Sequence, residues 1–283
     1  MRMRKALLLQ LFVLLMAAPY ARGYEPAGAR VQGMGGAGAA LPSDVTTVFW
    51  NPAGLFFHEG IALDLTFSFE ELGWPRNWGF SYLNYSRSGK RGAGFGLYRV
   101  EDSSTLEGGN AVAAILSTVY RTPIGLPLGL SFKYINENWA DQGRTSYFSG
   151  DLGIFLPYGS WLLGTCIQSV SRPGSQLFPY RVLLGLSWGL RRGVTAGFQM
   201  NVTRWQELKE PDQAELRAGV SFQFSRAFSM QGGWVRTVQE EEYWTGGIGI
   251  QGGGGASLYV AYHYYAKGDR RDRFFLSYSY YLP

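Results

Sequence analysis

Apolar and polar side chains alternate along this chain in windows of nine or ten residues, and roughly fourteen such windows run from about Ile61 to the last residue. Ile61, Leu63, Leu65, Phe67 and Phe69 share one face of the first window, against Ala62, Asp64, Thr66 and Ser68 on the other. The same division recurs with Leu128, Leu130, Phe132 and Tyr134 against Gly129, Ser131 and Lys133. It recurs again with Val194 to Val202, with Leu216 to Phe224, and in the closing window with Phe274, Leu276, Tyr278 and Tyr280 against Ser277 and Ser279. Successive side chains of a strand point to opposite faces, so each window predicts a strand with one greasy and one small or polar side. Windows beginning near Trp78, Gly92, Val112 and Trp161 have mixed faces, so counts of twelve or sixteen strands stay open beside fourteen.

What lies on each face separates a soluble sandwich from a membrane barrel. A sandwich needs a compact apolar inner face and a charged outer one. Here aromatics and branched aliphatics hold one face throughout, Gly, Ser, Thr and Gln hold the other, and charge gathers in the connections. Nine or ten tilted residues cross a bilayer, with apolar side chains to lipid and polar ones to the lumen. The expected fold is an all-β, antiparallel transmembrane barrel of about fourteen strands. Longer connections (Glu70–Asn77, Glu101–Ala111, Trp139–Thr145 and onward) alternate with shorter ones, and every long one is expected to match or exceed the longest short one. Short turns then face the periplasm. Trp74, Trp78, Trp139, Trp205, Trp234 and Trp244 are expected at the outer membrane–water boundary, with Trp161 and Trp188 at the inner one.

The chain begins with the basic run Met1-Arg2-Met3-Arg4-Lys5, followed by an apolar stretch from Ala6 to Ala18 and the small residues around Ala21-Arg22-Gly23. This is the layout of an export signal, so residues 1–23 are expected to be removed, residues 24–58 to precede the barrel, and residues 59–283 to form it. One cysteine, Cys166, excludes an intrachain disulfide. The 26 Lys and Arg against 21 Asp and Glu give a net charge of +5, spread among the turns, which argues against nucleic acid as a partner.

Between signal and barrel the composition changes. Gly28 to Ala40 is rich in glycine and alanine, with Gly33, Gly35 and Gly36 at its centre; Asp44 follows, then Phe49-Trp50-Asn51-Pro52-Ala53-Gly54-Leu55. Small residues permit close backbone approach and Asn-Pro sets a turn, both of which suit a compact plug inside a barrel. This ordered set resembles the N-terminal hatch of FadL-type outer-membrane transport proteins, and its Gly-Met-Gly-Gly-Ala and Trp-Asn-Pro-Ala-Gly-Leu are most similar to the PorV-like branch associated with secretion. The resemblance implies a hatch within a fourteen-stranded barrel of the bacterial outer membrane. It also implies passive uptake of hydrophobic compounds such as long-chain fatty acids, or, by the PorV-like likeness, an adaptor role with secretion-system proteins as partners. A strand irregularity that opens the wall sideways belongs to the same picture, and Gly92, Gly94 and Gly96 in the third window are the candidates for it; curvature or contact with the hatch is their other reading.

Other chemistry finds little support. Gly33, Gly35 and Gly38 satisfy G-x-G-x-x-G, but no strand precedes them and Pro42 follows, so no dinucleotide and no other cofactor is expected. The two histidines, His58 and His263, are read as structural, and neither a hydrolase nor a metal site is expected. Asp64, Lys133, Asp151 and Arg217 lie on polar strand faces, where lipid would not tolerate them. They are expected in the lumen, paired with one another or with the hatch; Asp44 and the wall cations either help hold the hatch or merely keep the lumen wet.

Overall fold

The computed structural model describes residues 27–42, 45–70, 75–86, 91–102, 109–140, 143–171, 175, 177–191, 193–204, 213–237, 242–265 and 272–282. Fourteen strands form: β1 (Gly60–Glu70), β2 (Asn77–Ser86), β3 (Arg91–Asp102), β4 (Gly109–Arg121), β5 (Pro127–Trp139), β6 (Gly143–Tyr158) and β7 (Trp161–Gln168). The ring continues through β8 (Tyr180–Arg191), β9 (Val194–Arg204), β10 (Gln213–Gln223), β11 (Phe228–Thr237), β12 (Glu242–Gln251), β13 (Ala256–Tyr265) and β14 (Arg273–Leu282). Each pairs antiparallel with its sequence neighbours, and β1 joins β14 from Ile61↔Leu282 to Glu70↔Arg273, so the sheet is a closed barrel without edges. An even strand number brings the start of β1 and the end of β14 to one rim, which we call the turn end; the opposite rim is the loop end.

The alternation read from the sequence sorts directly onto the two faces. Leu116 (59% exposed), Phe132 (54%) and Phe148 (63%) stand outside, while Lys133, Gln199, Arg217 and Ser277 are buried inside. Large apolar side chains this exposed over a whole surface would be costly in water, and hydrocarbon removes the cost.

Connection lengths depart from expectation at the β11–β12 hairpin, where the strands leave residues 238–241 between them, one fewer than the turn between Arg121 and Pro127, and further at the β5–β6 hairpin. Both strands run on toward the loop end, leaving residues 140–142 between them, fewer than the turn between Arg121 and Pro127. Cross-strand side chains sustain this extension: Arg144 Nε donates to Asn136 Oδ1 at 2.7 Å, and Asn136 Nδ2 donates to Ser146 Oγ at 2.8 Å. On the other side β7 is short. β6 has 16 residues and β7 has 8, so the last β6–β7 pair toward the loop end is Leu152↔Ile167.

The lumen is filled by residues 27–42 and 45–58. They form α1 (Ala29–Gly33), a single 3-10 turn at Gly38–Ala40, α2 (Thr47–Trp50) and a second 3-10 stretch at Pro52–Phe57. Val31, Met34, Val48, Phe49, Trp50 and Leu55 are all at most 2% exposed. This plug makes part of the lumen apolar, and that explains the mixed windows. Leu83 and Tyr85 of β2 and Val119 of β4 face inward onto Val45 and Leu55, while Ala113 and Ile115 of β4 face Val48 and Phe49. Trp139 also departs from expectation. It turns inward at 7% exposure, where it packs with the plug's rings and donates from Nε1 to Glu137 Oε2 at 3.3 Å. Trp74 and Trp205 lie outside the described residues.

Candidate functional site

The seam between plug and wall is built where wall glycines let backbone meet backbone. A Cβ placed on Gly129 of β5 would collide with Ala53 N, on Gly164 of β7 with Ala39 O, on Gly219 of β10 with Met34 O, and on Gly233 of β11 with Gly35 N. Gly153 of β6 would meet Asn51 Oδ1, and Gly185 of β8 would stand 2.8 Å from Ala40 N. Any side chain at these positions would displace the plug or the strand. Within the plug, Gly35 and Gly36 have φ of +69° and +71°, a conformation that suits glycine and folds the chain tightly after α1.

Polar wall side chains satisfy the plug's backbone, which short helices leave with many open groups. Thr245 Oγ1 accepts from Gly35 N and donates to Gly33 O, both at 2.9 Å. Gln199 Oε1 accepts from Ala39 N at 2.6 Å, and Gln168 Nε2 donates to Phe49 O at 2.8 Å. Ser277 Oγ accepts from Ala29 N at 2.7 Å and contacts Thr66 Oγ1, which donates to Asp64 Oδ1 at 2.6 Å. Asp64 therefore reaches the plug through two hydroxyls. His263 Nε2 stands 3.2 Å from Gln32 O, among the rings of Tyr243, Tyr265 and Phe275.

Asn51 ties the motif together. Extended at φ −155°, it accepts from Ala53 N at 3.1 Å through Oδ1 and donates from Nδ2 to Ala39 O at 3.0 Å and to Thr165 O of β7 at 3.3 Å. Pro52 starts the following turn, where no amide hydrogen is needed. Gly54 leaves room for Thr47 Oγ1, whose hydroxyl donates to Asn51 O at 2.9 Å.

The charged residues divide. Arg217 Nη1 reaches Gly36 O at 3.5 Å while Nη2 pairs with Glu215 Oε2 at 2.7 Å, so this cation touches the plug. Lys133 pairs with another wall charge instead of the plug. Its Nζ lies 2.8 Å from Asp151 Oδ1 on the adjacent strand, an ion pair within the wall, because a buried ammonium needs an anion more than a carbonyl. Asp151 Oδ1 also accepts from Ser169 N at 2.9 Å, where β7 ends. Asp44 lies outside the described residues.

The third-strand glycines form no gap. β3 pairs without interruption with β2 from Trp78↔Arg99 to Ser86↔Arg91, and with β4 from Arg91↔Tyr120 to Asp102↔Gly109. Gly94 and Gly96 instead face Leu55 and Phe49 of the plug, and Gly92 faces Tyr85 and Val119, so their missing side chains make room inside the lumen. The register shift among the strands lies between Gly189 and Arg191, at the turn end of β8.

Toward the loop end, one sector of the seam is aromatic. Phe49 and Trp50 of the plug share a buried cluster with Tyr98, Ile135, Trp139 and Phe178, and Phe49 lies 5.6 Å from Tyr98. Glu137 holds this cluster's lid of chain: its Oε1 accepts from Ser175 Oγ and, at 3.1 Å, from Leu177 N, while Phe178 N donates to Ser175 Oγ at 2.7 Å. Glu137, Gln168, Gln199 and Thr245 escape the sequence reading. The signal that could have found them is strand parity, which puts each of these polar residues on an inward position but does not tell which atom its side chain meets.

No protein-family model matches the chain, and no curated protein matches it in sequence. Solved structures do. The Ralstonia pickettii toluene transporter TbuX aligns over 93% of this chain and 100% of its own, with a TM-score of 0.75 at 13% identity. The monoaromatic hydrocarbon channel CymD aligns over 93% of this chain and 99% of its own (TM-score 0.71, 13% identity). A Pseudomonas aeruginosa FadL homologue aligns over 94% and 100% (TM-score 0.70, 11% identity). The chain has the fold of FadL-type barrels over nearly its whole length.

Proposed function

We propose that this barrel is a passive conduit of the bacterial outer membrane for small hydrophobic molecules, reached after export and removal of residues 1–23. The aromatic cluster carries the reading. Polar groups latch much of the seam between plug and wall and smaller apolar clusters lie nearer the turn end, whereas Phe49, Trp50, Tyr98, Trp139 and Phe178 form the continuous aromatic sector toward the loop end. An apolar solute leaving water gains there by burial and ring contact, and gains nothing along the polar sectors. Its concentration gradient supplies the drive, with neither catalysis nor cofactor. The toluene and monoaromatic hydrocarbon transport named for the structural neighbours supports the same class of cargo.

Within that class, neutral aromatic compounds suit the cluster better than long-chain fatty acids. The Glu137 carboxyl is buried beside the rings at 1% exposure, and a fatty acid would bring a second carboxylate toward it. Of the two roles the hatch motif implies, conduit and secretion adaptor, this cluster favours the conduit.

The test is uptake of labelled toluene and labelled oleate by cells with and without the protein, at matched surface expression. Toluene uptake should rise several-fold and oleate uptake less. Equal toluene rates with and without the protein would remove the proposal.

A further inference from the structure

On the long β5–β6 hairpin the outward face changes character at one level. Leu130, Phe132 and Tyr134 of β5 stand outside, as do Leu152 and Phe148 of β6. One step nearer the loop end the outward positions become Asn136 and Asn138 on β5 and Ser146 and Arg144 on β6, with Asn136 opposite Ser146 and Asn138 opposite Arg144. The change falls at matching register in both strands, so it marks where hydrocarbon gives way to headgroups. Among the described residues, no Asp or Glu occupies an outward position of β4, β5 or β6, and Arg144 is the one cation there. A lone guanidinium among neutral donors at that level is set to receive an anion.

We infer that this patch binds the phosphate of a membrane lipid in the leaflet at the loop end, with the acyl chains lying on the rings below it. Three observations carry this. First, the polar side chains form one run of hydrogen bonds whose unclaimed ends are donors. Arg144 uses Nε on Asn136 Oδ1, and Asn136 uses one Nδ2 hydrogen on Ser146 Oγ. Ser146 and Tyr134 share one hydroxyl hydrogen at 3.1 Å, so one is left over whichever of them donates. Both Nη groups of Arg144 are left as well. A guanidinium fork takes two phosphate oxygens and a hydroxyl takes the third, whereas a carboxylate has no third oxygen to give. Second, the donors stand above an apolar ledge: Phe132 and Phe148 stack at 5.7 Å, and Tyr134 lies 5.3 Å from Phe148. Free phosphate gains nothing from that ledge, while a lipid gains by covering it. Third, the ledge continues past the end of β7, where Val170 is 49% exposed and its N donates to Gly150 O at 2.9 Å. Beside it Ser171 Oγ donates to Phe148 O at 2.8 Å. The ledge therefore spans two strand spacings, about 10 Å, a width that suits a lipid with two chains.

The inference rests on the membrane setting of the proposed function and not on its cargo. The experiment is native mass spectrometry of the full mature protein released from mixed micelles of equimolar dioleoylphosphatidate and dioleoylglycerol, which differ only in the phosphate. Retained phosphatidate should exceed dioleoylglycerol several-fold. Arg144→Gln should bring the ratio most of the way to one. Arg99→Gln, which removes an outward arginine already held by Glu101 at 3.1 Å, should leave the ratio unchanged. Equal retention of the two lipids by the wild-type protein overturns the inference, as does a ratio that Arg144→Gln leaves intact or that both variants lower alike. Excess inorganic phosphate should not displace the lipid; if it does, the patch takes free phosphate and the lipid is wrong. Should Arg144→Gln fail to fold, judged by heat-modifiable gel mobility, the pair Tyr134→Phe and Ser146→Ala decides. It removes the hydroxyl donors and keeps the charge, so the ratio should fall, and an unchanged ratio overturns the inference. Loss of toluene uptake with phosphatidate preference intact would remove the conduit and leave the lipid site standing.

Discussion

A glycine in a strand ordinarily weakens it, yet this wall places glycines on the inward face of β5, β6, β7, β8, β10 and β11, each against the plug, and all but the β6 glycine against plug backbone. Their partners differ: Gly129 faces Ala53, Gly164 faces Ala39 and Gly219 faces Met34. The sequence showed these glycines as members of a small polar face, and nothing in it told which backbone atom each one admits. Outward glycines provide the contrast, since Gly232 and Gly246 have nothing within 4 Å of a built Cβ. Gly129→Val should therefore unseat the plug at Ala53, while Gly246→Val should add a β-branched residue to the lipid face at no steric cost. Planar-bilayer recordings distinguish them, with frequent open-channel events expected for Gly129→Val and wild-type closure for Gly246→Val. Equal closure of both would show that the seam tolerates a side chain.

At the scale of strands, the short β7 is the irregularity that shapes the wall. Its loop end is fixed by one carboxylate, for Asp151 on β6 pairs with Lys133 on β5 and accepts from Ser169 N where β7 stops. The ion pair is buried, with side chains 2% and 1% exposed, so neither charge can turn to water. Removing one partner of such a pair costs about 3–5 kcal/mol, whereas removing both leaves no stranded charge. Lys133→Ala should lower the urea midpoint of unfolding in lipid vesicles strongly, and Lys133→Ala with Asp151→Ala should recover much of the loss. A double variant as unstable as the single one would mean that the pair acts through packing instead. The inward placement of Lys133 and Asp151 was legible from strand parity. Their partnership was not, because cross-strand register depends on where β6 begins, and β6 runs on to Gly143 instead of ending with its neighbours.

For the molecule as a whole, lipid and plug impose different demands on the two faces of one sheet. Lipid asks the same of every strand, so the outward face repeats, and a count of about fourteen strands, with twelve or sixteen still open, could be read from it. The lumen answers to a plug whose surface changes from aromatic at Phe49 and Trp50 to bare backbone at Gly35, so β2 and β4 carry apolar residues inward and looked mixed in sequence. This makes the plug part of the barrel's stability as well as its cork. Leu83, Ile115, Ile135 and Phe155 are buried only because the lumen is filled, and at about 1.5–3 kcal/mol for each such side chain their exposure would cost on the order of 10 kcal/mol, as an upper bound. Deleting residues 27–58 should accordingly lower the temperature at which the barrel loses its heat-modifiable gel mobility and leave the folded fraction conducting in planar bilayers. A deletion variant that melts with the wild-type protein would assign the barrel's stability to its strand pairing alone and reduce the plug to a stopper.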